Sequence, residues 1–231
     1  PKFAQLIVRQ FGLDTIEAGA VLGVAIDMGM AQWGDLDGCM ALLREIRNNT
    51  LIGKILGHGV QVAGDVLGSR RIPAAKGQSF AGYDPRALKG NGVTYAMSPM
   101  GADHTAGNCF GSRGEVNPLG VDKQGDLSKS LQYKMCTLDS LGFCIFARPP
   151  LFKDPSKMTT PVNALLGTEL SVDQLWQVLG VDTVRTEREF NIRSGLSPAN
   201  DKLPEYLYVE PLPPTNEVFN LPEEEMLKAI V

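Results

Sequence analysis

Apolar residues recur at helical spacing through most of the chain. Phe3, Leu6, Ile7 and Phe11 share one helical face, and Gly12 follows where a left-handed cap would end the helix. Asp14 then opens a second helix, with Glu17 three residues on, placed to reach back in a box-like arrangement. From Thr15 to Trp33 this helix is apolar nearly all round, which predicts a position at the centre of the fold. Gly19, Gly23 and Gly29 within it predict close approach by neighbouring helices.

Two further helical stretches follow, DLDGCMALLREIRN from Asp35 and LIGKILGHGVQVAGDVLG from Leu51, the second capped by Thr50. From Arg71 to Gly82 lie the only short runs that could pair as strands. Asp84-Pro85-Arg86 starts another helix, read as far as Met97, because Pro fits a first turn where its missing amide costs nothing. SPMGADHTAGNCFGSRGEVNPLGVDKQG, from Ser98 to Gly125, lacks periodicity and has the length of a functional loop.

Helical pattern resumes from Leu127 to Asp139 and ends near LGFC. ARPPLFKDPSKMTTP reads as a linker to a separate helical region, in which Ser171 caps VDQLWQVLGVDTVRTEREFNIRSG. A polar, proline-rich tail from Leu196 to Pro214 precedes the short acidic helix LPEEEMLKAIV. The fold class expected is mainly α: multihelical, with long loops, little strand and two adjoining helical domains, residues 1–150 and 151–231.

Composition narrows the chemistry. With 25 glycines and 15 prolines among 231 residues, much of the chain belongs to turns and irregular connections. A net charge of −4 offers no basic footprint for nucleic acid or an anionic membrane, which points to small molecules or other proteins as partners. The apolar segment from Ala18 to Trp33 carries Asp27 in its middle and is too short for a bilayer span. Four cysteines, at 39, 109, 136 and 144, lack the density of a disulfide scaffold, so the expected compartment is the reducing cytoplasm. The chain begins at Pro1 and enters helical pattern almost at once, which reads as a piece of a longer protein.

Each candidate residue has a bland reading. Asp14 and Asp139, beside helix ends, read first as caps. His104 lies between Asp103 and Thr105 in a glycine-flanked loop, where an imidazole could meet a ligand, whereas His58 between Gly57 and Gly59 reads as structural. Cys144 follows the turn LDSLGFC and could fill a core gap or bind a metal. The cysteine spacings encode no complete iron-sulfur or zinc site, and no GxGxxG, Walker, HExxH or GxSxG sequence points to another enzyme class.

Taken together, GLDTI at 12–16, GYDPRALKGNGVTYAMSPMGADHTAG at 82–107, LDSLGFC at 138–144, TEREFNIRSG at 186–195 and KLP at 202–204 carry a resemblance. Their order and content resemble the carboxy-terminal, second and third, domains of the tungsten-containing aldehyde:ferredoxin oxidoreductase family. The resemblance covers almost the whole chain and implies a missing amino-terminal domain that cradles one side of a bis-pterin cofactor.

In that family two turns, DxxGLD and DxxGLC, hold the pterins of a tungsten (or, in the same role, molybdenum) cofactor. RQFGLD at 9–14 and DSLGFC at 139–144 match them, so the resemblance implies pterin contacts for Gly12, Leu13 and Asp14, and for Asp139, Ser140, Leu141, Gly142 and Phe143. Arg9 departs from the usual aspartate. Cys144 matches the fourth ligand of a 4Fe-4S cluster whose other three ligands precede the first turn, so the piece alone is expected to hold no cluster. His104 matches a family histidine that assists proton movement in aldehyde oxidation.

The implied reaction converts an aldehyde to a carboxylic acid and sends electrons through the cluster to ferredoxin. A helical scaffold or subunit that kept the fold and lost the cofactor is the alternative, and a relative that reduces a carboxylate or another oxo compound is a third reading. A homo-oligomer remains open.

Overall fold

The computed structural model describes residue 5 and residues 7–230. Phe3 and Leu6 of the expected first helix lie outside the described residues. Ile7–Phe11 form one π-helical turn, with Ile7 buried. Helix α1, Thr15–Asp27, starts at Asp14, whose carboxylate accepts from Glu17 N at 2.8 Å. It stops short of the expected Trp33 because Gly29 turns left-handed, at φ 80°, and donates its amide to Ile26 O.

Helices α2 (Leu36–Arg47) and α3 (Leu51–Gly57) begin as expected, capped by Asp35 and Thr50. The expected continuous helix after Leu51 is broken at Gly59, φ 91°, and restarts as α4, Val60–Leu67. Glu17 explains the restart. It does not reach back to Asp14; one carboxylate oxygen accepts from Val60 N at 2.6 Å and the other from Ser79 N at 3.1 Å. A negative charge thus sits at the amino end of α4, where the helix dipole favours it.

The expected helix contacts at Gly19, Gly23 and Gly29 are absent: Gly19 and Gly29 border open space and Gly23 meets only the Trp33 ring, at 3.8 Å. Close packing occurs instead at Gly53, where an added Cβ would collide with the Glu45 carbonyl of α2. Leu22, Ala25, Leu43, Leu56 and Val60 share this first core with other residues of α1–α4.

Ala74–Ala75 (β1) and Gln78–Ser79 (β2) pair antiparallel, Ala74 opposite Ser79, across a Lys76-Gly77 turn with both φ values positive. This is the expected short ribbon. Helix α5 starts at Lys89 rather than beside Asp84, because Asp84 closes a tight turn by accepting from Arg86 N and Nε at 2.9 and 3.0 Å. It ends at Met97, as expected.

The central helix is α5, not α1: every residue of Lys89–Met97 is buried, whereas α1 keeps Ile16 and Gly19 exposed. Its polar groups find remote partners. Lys89 Nζ donates to Leu119 O and Asn220 Oδ1 at 2.6 and 2.7 Å and pairs with Glu217 at 3.0 Å. The Thr94 hydroxyl shares a 2.7 Å bond with Ser128 of α6, Gln124–Ser140.

The expected linker is helical. Pro149 and Pro150 sit in the first turn of α7, Arg148–Lys153, where a missing amide is harmless, and α8, Ser156–Leu166, follows. Leu151 and Met158 join Met135 and Leu138 of α6 and Leu175 of α9, Val172–Trp176, in a further core. Ser171 and Gln174 form a full capping box at the start of α9. A π-helical turn, Gln177–Asp182, leads into α10, Thr183–Arg193.

The expected polar tail also differs. Its Leu203 and Leu207, the latter in α11 (Tyr206–Val209), pack with Val93, Tyr95 and Phe219 around α5. Helix α12, Glu223–Leu227, closes the fold against α6, where Gly125 leaves room for the Glu225 carbonyl. The fold is mainly α and multihelical.

Candidate functional site

Two turns in the chain share one backbone design. Gly12 and Gly142 end the preceding helical turns at φ 65° and 72°, and each borders open space. An apolar residue follows each: Leu13 packs on the first core and Phe143 on the core of α6–α9. Asp14 and Cys144 come next, both extended, and each starts a new helical segment.

Their side chains then diverge. Asp14 caps α1, as its structural reading expects, while the Cys144 side chain makes no cap hydrogen bond to the 3-10 turn Ile145–Ala147 and lies exposed. Asp139 is not a cap. It occupies the last turn of α6, where a carboxylate runs against the helix dipole.

His104 opens a 3-10 turn in the loop after α5. Asp103 holds that turn, accepting from Thr105 N and Oγ1, both at 2.7 Å. The same oxygen lies 3.9 Å from His104 Nδ1, too far for a hydrogen bond. The imidazole instead rests against Tyr83, ring centroids 5.5 Å apart, and Tyr83 in turn against Phe110. His104 shares with Asp14 and Glu17 a cleft of about 470 Å³, whose other lining includes Gln78 and Ser79 of the ribbon.

A second cleft, about 280 Å³, is lined by Ser98, Pro99, Cys136, Asp139, Ser140 and Glu187, among others. Partial desolvation and the like charge of Asp103 raise the pKa of Asp139 from its ordinary value. Glu187 is raised by desolvation and by Asp139. Asp103 itself lines the His104 cleft. Burial pushes the Cys136 thiol up to about 11 and the Cys109 thiol up to about 12, so neither is a ready thiolate. His58, exposed between α3 and α4, contacts Lys54 O through Nδ1 at 2.6 Å, in keeping with its structural reading.

Residues 3–230 match the family model described as aldehyde ferredoxin oxidoreductase, domains 2 and 3. The chain belongs to this family. Among curated aldehyde ferredoxin oxidoreductases, the tungsten-containing protein of Pyrococcus horikoshii is 27% identical over 228 residues, covering 88% of this chain and 37% of its own length. That of Thermococcus kodakarensis is 26% identical over 226 residues, with the same coverage. The aliphatic sulfonate oxidoreductase, WOR-like subunit, of Pyrococcus furiosus is 26% identical over 259 residues, covering 99% of this chain and 38% of that protein. The chain thus spans less than two fifths of the length of these relatives.

For a member of the aldehyde ferredoxin oxidoreductase family, the structure brings some expected site residues together and leaves others apart. Asp14 meets His104 in one cleft, and Asp139 and Ser140 line the other. Among the described residues no group of three or more His, Cys, Asp or Glu is arranged to hold a metal ion. Two cleft residues, Glu17 and Glu187, and Tyr83 against the His104 ring escaped sequence reasoning. Tyr83 and Glu187 sit inside segments that carry the family resemblance, a signal that marked them without saying what they touch; Glu17 was read only as a local cap.

Proposed function

We propose that this chain forms the second and third domains of a cytoplasmic tungsten- or molybdenum-pterin oxidoreductase, which oxidises aldehydes to carboxylic acids and passes electrons through a 4Fe-4S cluster to ferredoxin. The observation that carries this reading is the recurrence of one glycine turn at 9–14 and 139–144, with the unengaged Cys144 thiol at the end of the second. Open space before both glycines fits a cofactor laid across the turns. Gly12, Leu13 and Asp14 would hold one pterin; Asp139, Ser140, Leu141, Gly142 and Phe143 would hold the other. Cys144 would give one thiolate to the cluster, with the remaining ligands from an amino-terminal domain.

When bound, the metal-pterin group supplies the two-electron redox step. An aldehyde and water yield a carboxylic acid, two protons and two electrons. His104 is suited to accept one of those protons and return it to solvent: its side chain is 26% exposed, it is steadied by Tyr83, and Asp103 is too distant to bind its Nδ1. The described residues contain no helix long and apolar enough to cross a membrane.

Arg9 supports a second reading. It is exposed where the family turn usually carries aspartate, and a scaffold that kept the fold without the cofactor would tolerate that change. Expression of the full-length protein under tungstate or molybdate, with assays of metal, pterin, iron and aldehyde-dependent dye reduction, tests both. Bound pterin and metal with aldehyde turnover support the enzyme; a folded protein free of both supports the scaffold.

A further inference from the structure

The segment TEREFNIRSG contributes to the family resemblance, and two of its polar side chains, Arg188 and Asn191, are engaged by neither glycine turn. They reach the end of α5. The last carbonyls of a helix have no partners within it, and Ser98, extended, followed by Pro99 prevents α5 from continuing. Four successive carbonyls are met by three side chains from remote elements. Lys76, in the ribbon turn, donates to Ala96 O and, at 2.9 Å, to Ser98 O. From α10, Arg188 Nη1 lies 3.5 Å from Met97 O and Asn191 Nδ2 donates to Pro99 O at 2.8 Å.

Asp201 ties the two cations together. Its carboxylate pairs with Lys76 at 2.8 Å and with Arg188 at 2.6 Å, and all three side chains are largely buried, at 6%, 16% and 7% exposed for Lys76, Arg188 and Asp201. Lys76 adopts φ 52°, a left-handed conformation that a side chain rarely takes and that glycine or asparagine would suit better. Its long side chain is what that position supplies.

The clamped carbonyls lead straight into the His104 loop. Gly101, at φ 69°, turns the chain against the Ala75 carbonyl so closely that a Cβ there would come within 2.7 Å. The far end of the loop is held by α5 itself: Thr94 Oγ1 lies 3.1 Å from Gly107 O, and Asn91 Oδ1 accepts from Cys109 N at 2.8 Å. His104 lies between these fixed ends.

We infer that Lys76, Arg188, Asn191 and Asp201 form a clamp that positions the His104 loop, acting as positioning residues for the proton carrier. The inference rests on the proposed role of His104, although the clamp can be measured without it. Asn191→Ala removes one hydrogen bond and no charge. In the full-length protein it should raise amide hydrogen exchange across residues 99–106 about tenfold or more, with little change in thermal midpoint. Turnover per metal-loaded molecule should fall about tenfold, as expected for a displaced reacting group.

In a His104→Asn background the same substitution should lower turnover less than about twofold, because the group it displaces is gone. Asp201→Asn should loosen the loop further, and Asp201→Glu should restore part of the protection. Unchanged loop exchange in both Asn191→Ala and Asp201→Asn overturns the clamp. Raised exchange with equal turnover losses in the two backgrounds overturns its action through His104. If His104→Asn alone leaves turnover intact, the role of His104 fails, and the exchange measurement still decides the clamp.

Discussion

Asp14 and His104 line one cleft, the first from the start of α1 and the second from the loop after α5. Asp14 is held there by the helix it caps, whereas His104 Nδ1 lies 3.9 Å from Asp103, too far for a hydrogen bond. His104→Asn in the full-length protein should therefore leave metal content and thermal midpoint nearly unchanged while turnover drops about a hundredfold or more. Metal analysis, calorimetry and aldehyde-dependent dye reduction on one preparation check this. A lowered midpoint with an unaltered turnover number would return His104 to a packing role.

Cys144→Ser should abolish or convert the proposed 4Fe-4S centre of the full-length protein, since a hydroxyl is a poor replacement for a soft thiolate on iron. Cys39→Ser should leave it intact, because Cys39 packs against the first core. Iron content and the paramagnetic signal of the reduced protein provide the readout. An undiminished signal in Cys144→Ser refutes the ligand assignment.

Asp14→Ala should destabilise by about 1 kcal/mol through loss of the α1 cap, and Asp14→Asn, which can still accept from Glu17 N, by much less. Chemical denaturation of both variants measures the difference. Equal losses would mean that the charge of Asp14, rather than its cap bond, matters to stability.

Glu187→Gln should raise the thermal midpoint of cofactor-free protein at neutral pH. Desolvation and the neighbouring Asp139 raise its folded pKa, so the folded state binds the proton more tightly than the unfolded chain. Such a group is least harmful below the unfolded carboxylate value, and stability declines as pH rises through the raised folded value. The gain from the amide should accordingly shrink towards zero near about pH 4, where the unfolded glutamate titrates. A pH-independent difference would trace to packing instead.

Gly53→Ala should cost about 1 to 3 kcal/mol, because α2 and α3 must separate to admit a Cβ against the Glu45 carbonyl. Gly19→Ala, facing open space on α1, should be neutral or slightly stabilising. Thermal melts of the pair compare the two sites directly.

Local rules made much of this fold legible. Asp35, Thr50 and the Ser171–Gln174 box mark helix starts because a cap acts within three residues of itself. The central helix was hidden for the opposite reason. Lys89, Asn91 and Thr94 make α5 look half polar, and their burial depends on groups such as Leu119 O, Glu217 and Ser128, whose arrival no local pattern announces. Gly59 was read as helical because the carboxylate that restarts the chain there comes from Glu17. Gly12 as a left-handed cap and His104 as a loop imidazole were legible from the residues, but the pairing of the two glycine turns only as a family resemblance; the proximity of Asp139 to Asp103 and to Glu187 needed the packed structure.

The π-helical turn Gln177–Asp182 makes chain length here a matter of register. Leu175, Gly180 and Val184 are all buried, and Gly180 packs close enough to the Tyr133 carbonyl of α6 that a Cβ would lie 2.7 Å away. A wide turn allows residues five apart to return to one face, which an α-helix does not. Removing one residue between Gln177 and Asp182 would let the segment relax to α geometry, with each residue worth about 100° of rotation. Because the wide turn already absorbs the extra residue, such a deletion would leave Arg188 and Asn191 facing the carbonyls after Tyr95, so this segment can shed one residue without unfastening the loop, whereas a deletion inside α10 itself would not be absorbed.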